Sequence, residues 1–289
     1  MKRFINFIIR IVRGFNRHDL LAYSYSMTYR LVISFFPMII FALSIISFLQ
    51  IDELAVTEFL ESVRGVLPPP VMEVVDTFVE EVVDTRSTAV MSSTLAVTLF
   101  TASSGFISVI KGINKTYGHK DTRNWVLRRA LSILLALLFV VIVALAMTFM
   151  VFSRNIQNLI YRHFDPNPLL TSAFGLVGYL LSVFIILFVI VMIFKIGNCK
   201  KVKILDLLPG ACVTVVFWIL FSWIFNIYLA TFAAFNVIYG SLFGIVVFLL
   251  YLNFITTFLL VGSEINAILS EGYIDGAGKE KEIGKKVLQ

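Results

Sequence analysis

The side chains best placed to do chemistry in this chain lie where charge is expensive. Asn253, Thr257 and Glu264 fall on one face of the last long apolar segment when it is wound as a helix. An ionisable group inside an apolar helix is costly and is a functional candidate by default. The Glu264 carboxylate could bind a proton, a cation or a substrate amine. Arg30 stands at the start of the first apolar run, and an Arg30–Glu264 ion pair is geometrically open if the first and last helices are neighbours. Asn226, Asn236, Asn253 and Asn266 add amides able to hold a polar head group. Each has a plainer reading. Glu264 and Arg30 can extend to the membrane surface or merely fix helix packing, and a buried Asn more often bonds across helices.

Other chemistries lack their residues. His18, His119 and His163 are scattered, and neither HExxH nor CxxC occurs. There is no phosphate-binding Walker A loop and no nucleophile elbow. Cys199 and Cys212 belong to no metal-ligand cluster, and a disulfide between them is not expected. A metal-dependent nuclease and an ATP-driven pump are therefore not expected, and the chain is read as a non-enzyme without cofactor or metal.

The elements that must position these residues are six apolar runs, Leu31–Leu49, Thr88–Ile110, Ala130–Phe152, Ser172–Phe194, Leu208–Phe232 and Ser241–Leu260. A helix needs about 20 residues to cross a hydrocarbon core. Of the 24 Lys and Arg residues, all but Arg64, Arg86, Arg154 and Arg162 fall on the N-terminal segment, the alternate connections and the tail. That bias orients a membrane protein with its basic loops inside. The expectation is an all-α, multi-pass protein of the cytoplasmic membrane, forming one domain over residues 1–289, with both termini and the tail at 270–289 cytoplasmic.

Residues 1–30 read as an amphipathic interfacial helix, with Phe4, Ile5, Ile8, Ile9, Val12 and Phe15 recurring at helical spacing. Pro37 should bend the first span. The external connection at 51–86 carries half of the acidic residues and two apolar stripes separated by Pro68, Pro69 and Pro70, the pattern of an acidic helical hairpin. In the second span, Gly105 and Gly112 lie in a narrow stripe with Thr94, Thr98, Thr101 and Ser108, suited to close helix packing. Gly240 and Gly244 form a GxxxG pair in the last. No internal repeat is clear, although three spans followed by three would have opposite orientations, as in inverted-repeat transporters.

Hydrophobic residues make up 59% of the chain and charged residues 15%, outside the soluble range. The net charge of +6 could point to nucleic acid, but its segregation to one face makes topology the simpler cause. Arg123, Arg128 and Arg129 are read as a topogenic loop and not as an RNA contact. Anionic lipid head groups are the partners such a face attracts. No cleaved signal peptide is expected, since the first apolar run begins at Leu31 and is too long for a signal core.

Three ordered stretches carry a family resemblance: Tyr25–Pro37, ending in Ser34-Phe35-Phe36-Pro37; Thr101–Tyr117, with Lys111, Asn114 and Tyr117; and Ile238–Leu269, with Tyr239-Gly240-Ser241 and Gly262-Ser263-Glu264-Ile265-Asn266-Ala267. Together they resemble the YihY/BrkB (UPF0761-like) membrane proteins across most of the chain. The resemblance implies a six-span inner or plasma membrane protein. Members have been described as a ribonuclease, as virulence-associated factors and as candidates for moving lipid-linked molecules. The leading expectation is a transporter or flippase-like protein for a lipid-linked or anionic amphipathic molecule. The alternative is a non-transporting scaffold or regulator of envelope assembly. A channel would be a third class, but no repeated ring of charges is visible. Substrate, driving ion and oligomeric state are not readable from the sequence.

Overall fold

The computed structural model describes residues 2–48, scattered residues between 57 and 77, and residues 91–142, 168–200, 202–231 and 241–287. Every regular element among them is a helix: α1 (Lys2–Arg17), α2 (Leu20–Phe48), α3 (Met91–Thr116), α4 (Trp125–Ile142), α5 (Pro168–Gly197), α6 (Ile204–Thr231) and α7 (Ser241–Val287). Trp125–Ile142, Ile204–Leu229 and Phe243–Ser270 are each long and apolar enough to cross a membrane.

Two boundaries differ from the sequence expectation. The interfacial helix ends at Arg17, not near residue 30. His18 N bonds to Gly14 O and Asp19 N to Asn16 O, closing α1, while Asp19 adopts a left-handed φ of 50° and its carbonyl receives Tyr23 N to open α2. Asp tolerates that conformation better than most residues. Leu20–Arg30 therefore belongs to the first long helix. At the other end, α7 continues well beyond Leu260, and the polar residues Ser263, Glu264 and Asn266 just past it find partners inside the bundle. Of the 51–86 connection only a few residues are described. Among them Arg64 bonds Asp76 at 2.9 Å across the three prolines and Glu61 at 3.4 Å. Pro37 lies within a continuous α2.

The distribution of polarity is inverted relative to a water-soluble protein. Leu180, Phe184, Phe188, Leu220, Trp223, Ile224 and Ile245 stand exposed, while Ser24, Thr28, Ser108, Asn114, Thr256, Glu264 and Asn266 are buried. In lipid there is no hydrophobic drive between helices, so small residues and inter-helix hydrogen bonds carry the packing. Ser24 and Thr28 tie their hydroxyls back to Leu21 O and Ser24 O, at 2.7 and 2.8 Å, so burying them leaves no donor free. α3 packs along α2, where Gly105 faces Ser34 and Leu31 and Gly112 faces Tyr23, Met27 and Leu260. α1 presents three faces: Phe15 packs inward against the core, Ile5, Ile8, Ile9 and Val12 stand exposed, and Arg10, Arg13 and Arg17 form an exposed basic edge. That is the partition of a helix lying in an interface.

Candidate functional site

The buried segment Gly262–Asn266 of α7 sends successive side chains to different neighbours. Glu264, 2% exposed, is reached by His18 at the end of α1, with Nδ1 to Oε2 3.1 Å. A carboxylate only accepts, so Nδ1 carries the proton of this bond. α1 comes this close because residue 14 is glycine: a Cβ there would collide with the Glu264 carboxylate. One residue earlier, Ser263 shares a 2.6 Å hydroxyl bond with Thr116 of α3.

Asn266 turns to α6. Its Oδ1 accepts Gly210 N at 2.7 Å and its Nδ2 donates to Leu207 O at 3.0 Å. These bonds bracket Pro209, which has no N–H to give the helix. The amide thus serves two backbone groups next to the proline. Gly210 and Gly262 let the two backbones meet here, since a Cβ on either would strike the other helix. Two turns back along α7, Thr256 and Thr28 of α2 pair at 2.9 Å and Asn253 Nδ2 reaches Thr28 at 3.3 Å. α7 is the hub on which α1, α2, α3 and α6 are hung.

The hub sits below one end of the bundle, where basic residues gather. α3 finishes in a Schellman cap: His119 N bonds to Asn114 O and Gly118 N to Lys115 O, with Gly118 at φ 64°. Asn114 is buried and fully engaged, donating to Ile110 O and Gly197 O and accepting Cys199 N, each at 2.8 Å. Arg123 donates to the carbonyls of Ile196, Gly197 and Asn198, capping the C-terminus of α5. Asp121 binds Arg128 at 2.8 Å. Tyr117 is buried beside Asn198, close enough to feel its amide but outside hydrogen-bonding geometry. Burial foremost, with the Asp206 and Glu264 charges adding to it, pushes the phenol well above its ordinary value despite the counter-effect of Asn198.

Above this floor opens a cavity of about 380 Å³, lined by Arg17, His18, Asp19, Lys111, Asn114, Lys115, Lys120 and Asp121 among others. The His18 side chain thus connects cavity and hub through Glu264, while Asn114 ties the cavity wall to the end of α5.

The residues singled out from sequence are dispersed. Glu264, Asn253, Thr257 and Asn266 lie along α7, with Thr257 bonding the Asn253 carbonyl at 2.8 Å. The Arg30–Glu264 pair is not formed. Arg30 is exposed and Glu264 takes His18 instead. The reason is register: α2 and α7 run antiparallel with Thr28 opposite Thr256, which places Arg30 roughly 15 Å along the axis from Glu264 at 1.5 Å per residue. Asn226 is half-buried on α6, and Gly244 is buried. Asn236 and Gly240 lie outside the described residues. Sequence reasoning gave no role to His18, Gly14, Gly210 or Gly262. A lone glycine on an otherwise apolar inward face, and a Pro-Gly step inside a span, were the available signals. Among the described residues no three His, Cys, Asp or Glu side chains converge as a metal site.

Comparison with known proteins fits this membrane architecture. The family model described as Virulence factor BrkB matches residues 11–285. A ribonuclease-like protein of Bacillus subtilis, YfkH, is 25% identical over 92% of this chain and 95% of its own length. A UPF0761 membrane protein of Aggregatibacter aphrophilus is 32% identical over 29% of this chain and 30% of its own. Another from Histophilus somni is 28% identical over 32% of each. No solved structure matches.

Proposed function

The chain belongs to the Virulence factor BrkB family, and on that premise we propose that it is a six-span protein of the cytoplasmic membrane, both termini inside, that moves an anionic or lipid-linked amphipathic molecule across the bilayer. The observation that carries the reading is the placement of Glu264. It is the buried carboxylate of the hub, and its imidazole partner belongs to a peripheral helix that is amphipathic and sits beside a basic cavity. Such a bond can open by displacing one short helix, without dismantling the α2–α3–α6–α7 core. Opening would bring a charge-bearing group into reach of the cavity, which is the two-state element an alternating site needs. The distribution of Lys and Arg supports the orientation, because the cavity lies on the basic side.

The scaffold reading has its own support. Asn253, Asn266 and Thr257 are all used in hydrogen bonds within the protein, and none of them lines the cavity. The name of the Bacillus subtilis relative describes that protein, and no nuclease activity is proposed for this chain.

Reconstitution decides between the two readings. The purified chain is placed in liposomes carrying fluorescent phosphatidylglycerol, fluorescent phosphatidylcholine or a labelled lipid-linked sugar, and transbilayer movement is followed by quenching of the outer leaflet. Movement of an anionic species faster than in protein-free liposomes is expected. Folded, correctly inserted protein that accelerates none of them would replace transport with the scaffold.

A further inference from the structure

The open cavity at the basic end carries more positive charge than the carboxylates in its walls balance, on Arg17, Lys111 and Lys120, which are exposed, and on half-buried Lys115. Arg17 enters from α1, Lys111 and Lys115 from the last turns of α3, and Lys120 from the connection after it. None of the four makes an ion pair with a described carboxylate. Lys115 lies 4.9 Å over the Tyr23 ring, a contact that leaves its charge intact. Two acidic residues also line the space, but they count differently. Asp121 is engaged by Arg128 at 2.8 Å and lies 4.0 Å from Arg123. Asp19 is exposed and makes no such pair among the described residues, so four cations face one carboxylate with no cationic partner among them. Behind them Glu264 is already bonded to His18.

The backbone does not undo this balance. The carbonyl end of α3 points toward the cavity, and that end of a helix dipole is negative. Its Schellman bonds occupy the Asn114 and Lys115 carbonyls, which would otherwise repel an anion. Asn114 cannot be the ligand's donor, since both its amide hydrogens and its oxygen are spent. Recognition therefore falls to point charges. Three lysines from the end of α3 and the connection after it, facing Arg17 of α1, suit a multiply charged phosphate, whose oxygens accept from several directions at once. At about 380 Å³ the space is within the range of small-ligand sites. It is large enough for a phosphodiester or diphosphate head and is open enough to leave a longer tail outside.

We propose that this cavity is a binding site for a phosphate-bearing anion, held by Lys111, Lys115, Lys120 and Arg17. The inference supplies the head-group class for the transport reading and rests on that reading only for its place in a cycle; binding itself is independent of movement. A phospholipid head group and a soluble phosphate compound share this chemistry.

The test uses the full-length chain, purified in a zwitterionic detergent and in nanodiscs. Inorganic pyrophosphate is titrated against the detergent form by calorimetry. Nanodiscs of phosphatidylcholine with and without phosphatidylglycerol are compared for pyrophosphate competition. Saturable pyrophosphate binding is expected, weakened at least tenfold by Lys111→Gln with Lys115→Gln and several-fold by Lys120→Gln alone. Lys200→Gln, an exposed lysine outside the cavity, should change nothing. If phosphatidylglycerol displaces pyrophosphate, the source is the membrane; if pyrophosphate binds equally in both nanodiscs, it is a soluble phosphate, and either result supports the site. Absence of saturable binding, or equal weakening by Lys200→Gln, would overturn it. Binding without transbilayer movement would leave this site standing and remove the transport reading alone.

Discussion

Replacing His18 with alanine isolates the bond on which α1 depends. The substitution strips the buried Glu264 carboxylate of its imidazole partner, leaving a charge that is 2% exposed with one fewer donor. At 3.1 Å a full charge pair is worth about 5 kcal/mol at an effective dielectric near 20, and partial exposure of the imidazole lowers this. A hydrogen bond from a neutral imidazole to a carboxylate is worth about 1.5–3 kcal/mol. With the His18 side chain 21% exposed, both routes lead to a loss of about 2–3 kcal/mol. Glu264→Gln alone should cost less than about 1 kcal/mol, because glutamine keeps the size and can still bond the ring. The double variant should then recover most of what His18→Ala loses, a coupling of about 1.5–3 kcal/mol. The assay is reversible denaturation of the purified protein in detergent, alongside limited proteolysis at α1. Additive effects in this cycle would refute the pairing, as would rescue of His18→Ala by Arg30→Gln.

Gly262→Ala would press a methyl against Thr214 and the Gly210 backbone. It should lower stability by about 1–3 kcal/mol, read from the same denaturation curves. The Tyr117 phenol is raised by burial, so it stays neutral in the folded state while an unfolded tyrosine ionises above pH about 10. The stability it contributes is thus complete below that pH and is lost as pH rises further. Tyr117→Phe should make the curve between pH 10 and 11 flatter than wild type, and identical slopes would contradict this. Single cysteines in a cysteine-free background at Lys120, Lys200 and Lys285 should react with a membrane-impermeant maleimide only after permeabilisation, whereas cysteines at Val75, Ile160 and Asn236 should react in intact cells. External labelling of residue 120 would break the six-span topology.

The helices were legible because apolar length needs no tertiary information: each of the six runs coincides, over its described residues, with a helix. Their ends were less so. Leu20–Arg30 was grouped with the interfacial segment because the apolar run begins only at Leu31, yet it belongs to the same helix as that run, with the Ser24 and Thr28 hydroxyls bonded to the helix's own carbonyls. The reversal at Asp19 has no glycine to announce it. Glu264 stood out as a charge in an apolar helix, but its partner did not, since 246 residues separate it from His18 and only the register of α2 on α7 brings them together. Asn266 was noticed as an amide and missed as a clamp. Its role depends on the close approach of α6 and α7 at Gly210 and Gly262, a relation between two helices that no local pattern displays. The cations of the cavity were counted only toward topology, because linear spacing does not reveal that Arg17 and Lys111 share a wall.

In the transport reading the charge of Glu264 works in moving a substrate and is not merely part of the packing. The most direct measurement is the initial rate of anionic-lipid movement in liposomes containing equal amounts of folded wild-type or Glu264→Gln protein, with melting temperature recorded on the same samples. The variant should lose at least tenfold in rate while its melting temperature stays within a few degrees of wild type. Wild-type rates in a stable Glu264→Gln protein would contradict it.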